Sequence, residues 1–194
     1  MTRAVVLFTL ALALRGETLT VAPAAGARFG FEVYKTGLMS GKVHVFTFER
    51  YRGTVAYDAQ NPTATKVDVT FEAASLKCHD EWSPAKGSLD KIMKEALDVV
   101  LQLGKYPEVR FQSTAVKPGA AAGQFDLQGT LTIRGLAKPV TAALTVRPGA
   151  KGLEVDGKSS FKMTDYGIKP PSAALGTIGT KPEINVQFRL AAQR

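Results

Sequence analysis

Apolar and polar positions alternate with a period of two over most of the chain. In Arg28-Phe29-Gly30-Phe31-Glu32-Val33-Tyr34, the residues Phe29, Phe31 and Val33 share one face. That is the pattern of a strand with one side turned to an apolar interior. Lys42-Val43-His44-Val45-Phe46-Thr47-Phe48 alternates similarly, though both of its faces carry bulk. Residues 53–58, 66–73, 109–116, 124–133, 140–146, 152–163 and 183–190 read as strands on the same grounds. Turn signals separate them: Asn61-Pro62, Lys117-Pro118-Gly119, Gly135 and Arg147-Pro148-Gly149. Asp156-Gly157 is expected to be a further tight hairpin turn, because glycine accepts a positive φ there.

One segment breaks the period. Leu89, Ile92, Met93, Ala96, Leu97, Val100 and Leu101 recur at helical spacing, while Asp90, Lys91, Lys94 and Glu95 take the opposite face. Ser88 is the expected N-cap, and Gly104 with Pro107 the expected stop. No strand–helix–strand alternation occurs. The fold class is therefore mainly β: an antiparallel barrel or sandwich with one amphipathic α-helix packed against it.

The first residues follow neither pattern. Ala4 to Leu14 is an apolar run of eleven residues with a single Thr, preceded by Arg3. That is well short of the roughly 20 residues a membrane-spanning helix needs. It suits a secretory signal, with Ala11-Leu12-Ala13 as a small-x-small cleavage site. The expected organisation is a signal peptide over 1–15 and a single domain over 16–194, placed in the periplasm or secreted. No cysteine follows the run, so a lipoprotein anchor at this end is not supported.

Composition narrows the chemistry. The 194 residues fit one domain of ordinary size. The lone Cys78 excludes an internal disulfide, and with only His44 and His79 neither a multi-cysteine nor a three-histidine metal centre can form. No metal and no cofactor are expected. Lys plus Arg number 25 against 17 Asp plus Glu, a formal net charge of +8. The basic residues include no adjacent pair, whereas nucleic-acid footprints cluster on a face or arm, so no nucleic-acid partner is expected. Alternate strand positions can still gather a basic patch in space, suited to an anionic membrane surface.

Several segments in order carry a family resemblance. They are Phe31-Glu-Val-Tyr-Lys-Thr-Gly37, Phe48-Glu-Arg-Tyr-Arg-Gly53, and Tyr106-Pro107 with Phe111 after the helix. Gly129-Thr-Leu-Thr-Ile-Arg-Gly135, Asp165-Tyr166-Gly167-Ile168 and Ile184-Asn-Val-Gln-Phe188 continue the series. From about residue 17 onward the chain resembles the YceI-like family of exported polyisoprenoid-binding proteins. Where many members carry Arg or Asn before the Asp-aromatic-Gly element, this chain has Lys162-Met163-Thr164. The resemblance implies a lipocalin-like antiparallel β-barrel. It also implies a non-catalytic binding role, with a long apolar isoprenoid-type lipid, polyprenyl or quinone-like, held inside.

The candidate cavity wall follows from the alternation. It takes Phe29, Phe31 and Val33, then Val43 and Val45, then Val69 and Phe71. Phe111, Leu131, Ile133, Phe161 and Met163 continue it, and the helix covers one side with Ile92, Met93 and Leu97. Each of these is equally at home in an ordinary core. His44 is a candidate contact for a polar ligand head, or else a structural histidine between strands. The alternative function is an envelope stress or interaction protein that binds anionic surfaces through its basic exterior.

Other motifs fail on context. Gly152 to Ser159 spells a phosphate-binding loop, yet the alternation of Leu153 and Val155 continues past it where a helix should start. Gly176-Thr-Ile-Gly179 lacks the flanking helices of an RNA-clamping loop. Cys78 and His79, being adjacent, point to opposite faces of an extended strand and do not form a thiol–imidazole pair there. Trp82 is expected to anchor the connection after them onto the barrel. No hydrolase signature occurs, and no catalytic residue is assigned. Export predicts a mature chain that begins between Leu14 and Gly16, which N-terminal sequencing of the secreted protein reads directly.

Overall fold

The computed structural model describes residues 16–82, 87–149 and 151–194; the signal peptide expected over 1–15 lies outside the described residues. The strands are β1 (Glu17–Val21), β2 (Arg28–Gly37), β3 (Val43–Phe48), β4 (Tyr51–Tyr57), β5 (Lys66–Glu72) and β6 (Leu76–Cys78). They continue as β7 (Glu108–Pro118), β8 (Gln124–Ile133), β9 (Leu136–Gly149), β10 (Gly152–Lys162) and β11 (Ile178–Gln193). Between β6 and β7 lies α1 (Ser88–Lys94), which runs on as a π-helical segment over Glu95–Leu101.

These strands make eight staves. β1 and β2 pair in succession along one edge of β11, β4 and β3 pair with them in turn, and β5 and β6 pair with those. Each couple is one long stave broken once. β7 to β10 supply the rest, and the ring closes where Thr20 meets Gln193 and Val21 meets Ala192. The fold is a closed antiparallel barrel with one helical segment at an end, and closure removes the exposed edges an open sheet would present.

The breaks are chemically provided for. At the corner between β3 and β4, the Arg50 N–H donates to Ser75 Oγ at 3.0 Å, and that hydroxyl donates to the Glu72 carbonyl at 2.7 Å. The Glu49 N–H donates to the Ser75 carbonyl at 3.2 Å. Backbone groups that lose ladder partners at the bend thus keep a partner. Buried Ser75 explains why two adjacent staves turn together.

The inner wall is aromatic, and two glycines let it lie flat. Gly157 pairs with Phe188, and a Cβ on Gly157 would sit 2.0 Å from the tip of that ring. Gly129 pairs with Ser113, and the ring of Phe111, two residues along the same strand, would come within 2.4 Å of an added Cβ. Each ring occupies the place of the missing side chain. Phe29 stacks on Phe188 at 5.5 Å and tilts against Phe71 at 4.2 Å, joining three staves through one aromatic layer.

Three local expectations are corrected. Asp156 and Gly157 lie inside β10 and form no hairpin; the bare α-carbon serves ring packing, and the chain turns between Gly149 and Gly152 instead. Gly87, at φ 77, takes the N-cap position, so Ser88 begins the helix. Gln102 takes the C-cap at φ 53, because the π-helical widening ends the coil before Gly104. Two strands lie outside the expected set, β1, where Leu19 and Val21 alternate with threonines, and the three-residue β6, and β9 and β11 run longer than expected.

The connections divide the barrel into two ends. The helix end holds the β2–β3 and β8–β9 turns, the helical segment and the long β10–β11 connection. The opposite end holds the β4–β5, β7–β8 and β9–β10 connections. Among the described residues, no helix is long and apolar enough to cross a membrane. Gly157→Val forces its side chain into the Phe188 ring, with an expected loss of about 1–3 kcal/mol read as a lowered urea midpoint.

Candidate ligand cavity

Inside the ring is a cavity of about 630 Å³. That lies within the roughly 300–1,000 Å³ usual for small-molecule sites. Phe29, Phe31 and Val33 line it from β2, and Val69 and Phe71 from β5. Phe111, Leu131, Ile133, Phe161 and Met163 line it from β7, β8, β10 and the turn after β10. Ile92 reaches it from α1.

The other proposed wall positions fall elsewhere. Val43 and Val45 are only half-buried and lie off the wall, because β3 turns His44, Phe46 and Phe48 inward. Both faces of β3 are bulky, so alternation alone leaves the choice open; the pairing of Phe46 with Phe31 settles it. Met93 and Leu97 pack against the core from the helical segment without lining the cavity. Ala96, Val100 and Leu101 line it in their place, since the π-helical coil advances less per residue than an α-helix and rotates a different stripe inward.

The wall also has members that sequence reasoning missed. Ile184, Val186 and Phe188 line it from β11. They form one face of the strand expected over 183–190, and their period-two spacing marks that face. Lys35, Met39, Trp82, Glu95 and Thr180 line the helix end; Lys35 extends the face of Phe29, Phe31 and Val33, while Met39 and Trp82 lie in turns that carry no period.

Polar groups gather at that end. Continuing the β3–β6 register beyond Phe46 and Cys78 brings residue 80 opposite residue 44. His44 Nδ1–H donates to Asp80 Oδ2, and Asp80 Oδ1 accepts the Val45 N–H at 3.0 Å. The Asp80 side chain is fully buried, so this pair fixes the ring and leaves Nε2 as the nitrogen available to the cavity. Trp82 Nε1–H donates to the Val43 carbonyl at 2.6 Å, which pins the connection as expected. Lys35 Nζ lies 3.5 Å from Thr180 Oγ1, and burial pulls its pKa below the usual lysine value against the opposing effect of Glu95 and Asp80.

Cys78 does not pair with His79. His79 Nε2 bonds Thr47 Oγ1 at 2.7 Å on the outer face, while Cys78, opposite Phe46, turns inward. Burial pushes the Cys78 thiol up to about 12, so it offers no thiolate nucleophile at neutral pH. His44, Cys78 and Asp80 bring three donor atoms within 4.8 Å of one another. Mixed nitrogen, sulfur and oxygen donors suit zinc. Here both carboxylate oxygens are already engaged by His44 and Val45, and the cluster acts as a hydrogen-bonded anchor.

Comparison with known proteins agrees with this architecture. The family model described as YceI-like domain matches residues 19–192. A UPF0312 protein of Pseudomonas syringae pv. syringae is 33% identical over 138 residues, covering 68% of this chain and 67% of that protein. Protein YceI of Escherichia coli is 34% identical over 131 residues, covering 63% of this chain and 62% of its own length. Among solved structures, Burkholderia cenocepacia BcnA aligns with a TM-score of 0.69 at 18% identity, over 87% of this chain and 98% of its own. A polyisoprenoid binding domain from Saccharophagus degradans, implicated in plant cell wall breakdown, aligns at 0.61 and 14% identity, over 91% of this chain and 99% of its own.

Asp80→Ala removes the acceptor of both His44 and the Val45 N–H in a dry setting. The expected cost is about 3 kcal/mol of unfolding free energy, measurable by urea denaturation.

Proposed function

The chain belongs to the YceI-like family, and from that membership we propose that it is a non-catalytic carrier of a long apolar isoprenoid-type lipid, polyprenyl or quinone-like, held inside the barrel. The observation that carries this reading is the cavity itself, about 630 Å³ walled almost wholly by apolar side chains. The name of the Saccharophagus neighbour, a polyisoprenoid binding domain, supports the ligand class.

A chain of methylenes and methyls needs no polar partner, so binding grows with the apolar area buried, at about 25 cal/mol per Å². The flat rings of Phe29, Phe111 and Phe188 present broad surface to it without filling the space. A polar head belongs at the helix end, where His44 Nε2 and Lys35 are the available hydrogen-bonding groups. Action in the periplasm or outside the cell is supported by the apolar run at Ala4 to Leu14.

Extraction of the purified exported protein followed by mass spectrometry is expected to recover such a lipid. Phe111→Glu places a charge on the wall, with an expected loss of at least tenfold in prenol uptake while circular dichroism stays unchanged. A wild-type protein that yields no lipid and takes up no prenyl chain overturns the reading.

A further inference from the structure

The two ends of the barrel differ in their exposed apolar side chains. Among the described residues, the large hydrophobics left exposed are Leu38, Leu89, Val99, Leu136 and Leu175. All five belong to segments at the helix end: the β2–β3 turn, the helical segment, the start of β9 and the β10–β11 connection. A scattered exposed leucine needs no explanation, but confinement to one end does.

Two of them sit on adjoining turns that also form the cavity rim. Leu38 is 80% exposed and Leu175 is fully exposed. The Leu38 N–H donates to the Thr177 carbonyl at 3.0 Å, which joins the two turns. Leu175 holds φ at 56 and Ala174 at 49, a left-handed conformation that residues with a Cβ avoid. Met39, Pro171, Ala173 and Ile178, from the same turns, line the cavity.

The two turns that carry Leu38 and Leu175 are basic, while the acids of this end, Asp90, Glu95 and Asp98, sit on the helical segment. Residues 33–43 and 166–182 contain Lys35, Lys42, Lys169 and Lys181 and no Asp or Glu. The nearest acids along the chain are Glu32, Asp165 and Glu183, and Glu32 accepts the Tyr34 hydroxyl at 2.8 Å. Among the described residues, the lysines held in ion pairs are Lys77 and Lys94. Lys42 and Lys181 instead lie over the rings of Trp82 and Tyr34, and Lys169 is exposed.

We propose that the helix end docks on an anionic phospholipid surface, with Leu38 and Leu175 entering the acyl boundary and Lys42, Lys169 and Lys181 among the headgroups. Exposed leucines ringed by lysines match both the apolar depth and the negative potential of such a surface. Docking brings the cavity rim against the bilayer, so an apolar chain can pass between membrane and barrel without crossing water. The reason for docking rests on the carrier reading; the docking itself does not.

Co-sedimentation of the mature protein with phosphatidylglycerol–phosphatidylethanolamine vesicles tests this, with phosphatidylcholine vesicles for comparison. Binding is expected to the anionic vesicles and to fall as salt rises. Leu38→Ser with Leu175→Asn is expected to weaken it at least tenfold. Each of Lys42→Gln, Lys169→Gln and Lys181→Gln is expected to weaken it about fivefold. Lys66→Gln, Lys117→Gln and Lys151→Gln together, at the opposite end, leave it unchanged.

The docking proposal is overturned by absence of vesicle binding, by equal loss from the opposite-end lysines, or by self-association through the two leucines without vesicle binding. Prenol uptake from dispersed solution, measured on the same variants, separates the two readings. Vesicle binding without uptake removes only the carrier reading, and uptake without vesicle binding removes only the docking.

Discussion

The structure depends on large rings lying flat. A barrel of eight staves encloses little room, and inward phenylalanines standing upright would fill it. Where Gly157 faces Phe188 and Gly129 meets the Phe111 ring, each ring folds down over the bare backbone of the neighbouring strand. The wall gains apolar surface and the lumen stays open. The same rings tie staves together, as in the contacts of Phe29 with Phe71 and Phe188. Hollowness and cohesion thus come from one arrangement, where in most interiors they oppose each other because voids cost packing.

A hollow barrel must also be sealed, and its two ends are sealed differently. At the end opposite the helix, β1 and β11 pair for two residues and Arg194 clasps Glu17 with Nε at 2.6 Å. Along the outer wall, pairs such as Arg110 with Asp68 run across adjacent strands. At the helix end the cover is irregular: a coil that widens into a π-helix, a turn held by Trp82, and a connection with two residues in left-handed backbone. Segments of this kind carry fewer ladder hydrogen bonds and open more readily than strands do. The His44–Asp80 pair lies just inside this cover, giving the irregular end of the barrel a fixed polar reference.

Much of the fold was legible because the period-two signal is local. Phe29, Phe31 and Val33 declare their face without help from any other strand, and so do Leu131 with Ile133. The failures occur where a face is decided across strands. In β3 both faces are apolar enough to be inner, and only the register with Phe31 and Cys78 chooses His44 and Phe46 over Val43 and Val45. β6 is three residues long, too short to show any period, yet it brings Asp80 to His44. The helix was legible as an amphipathic segment, while its inward stripe was not, because a change of pitch leaves no mark in the spacing of apolar residues. Asp156-Gly157 misled for a related reason: glycine serves turns and close ring contacts alike, and only the presence of Phe188 opposite distinguishes them.

The excess positive charge gains meaning from this division between wall and end. On the outer wall, Arg50, Arg52, Arg110, Arg147 and Arg189 each meet an acid on a neighbouring strand, so these charges largely cancel at short range. Exposed pairs of this sort add little stability individually. They do keep the barrel wall from presenting a strong field to its surroundings. Among the described residues, Lys42, Lys169 and Lys181 on the two turns beside Leu38 and Leu175 stand in no such pair, and neither do Lys66 and Lys117 at the opposite end. The two turns thus place positive charge next to Met39, Pro171 and Ile178, which line the cavity at the helix end.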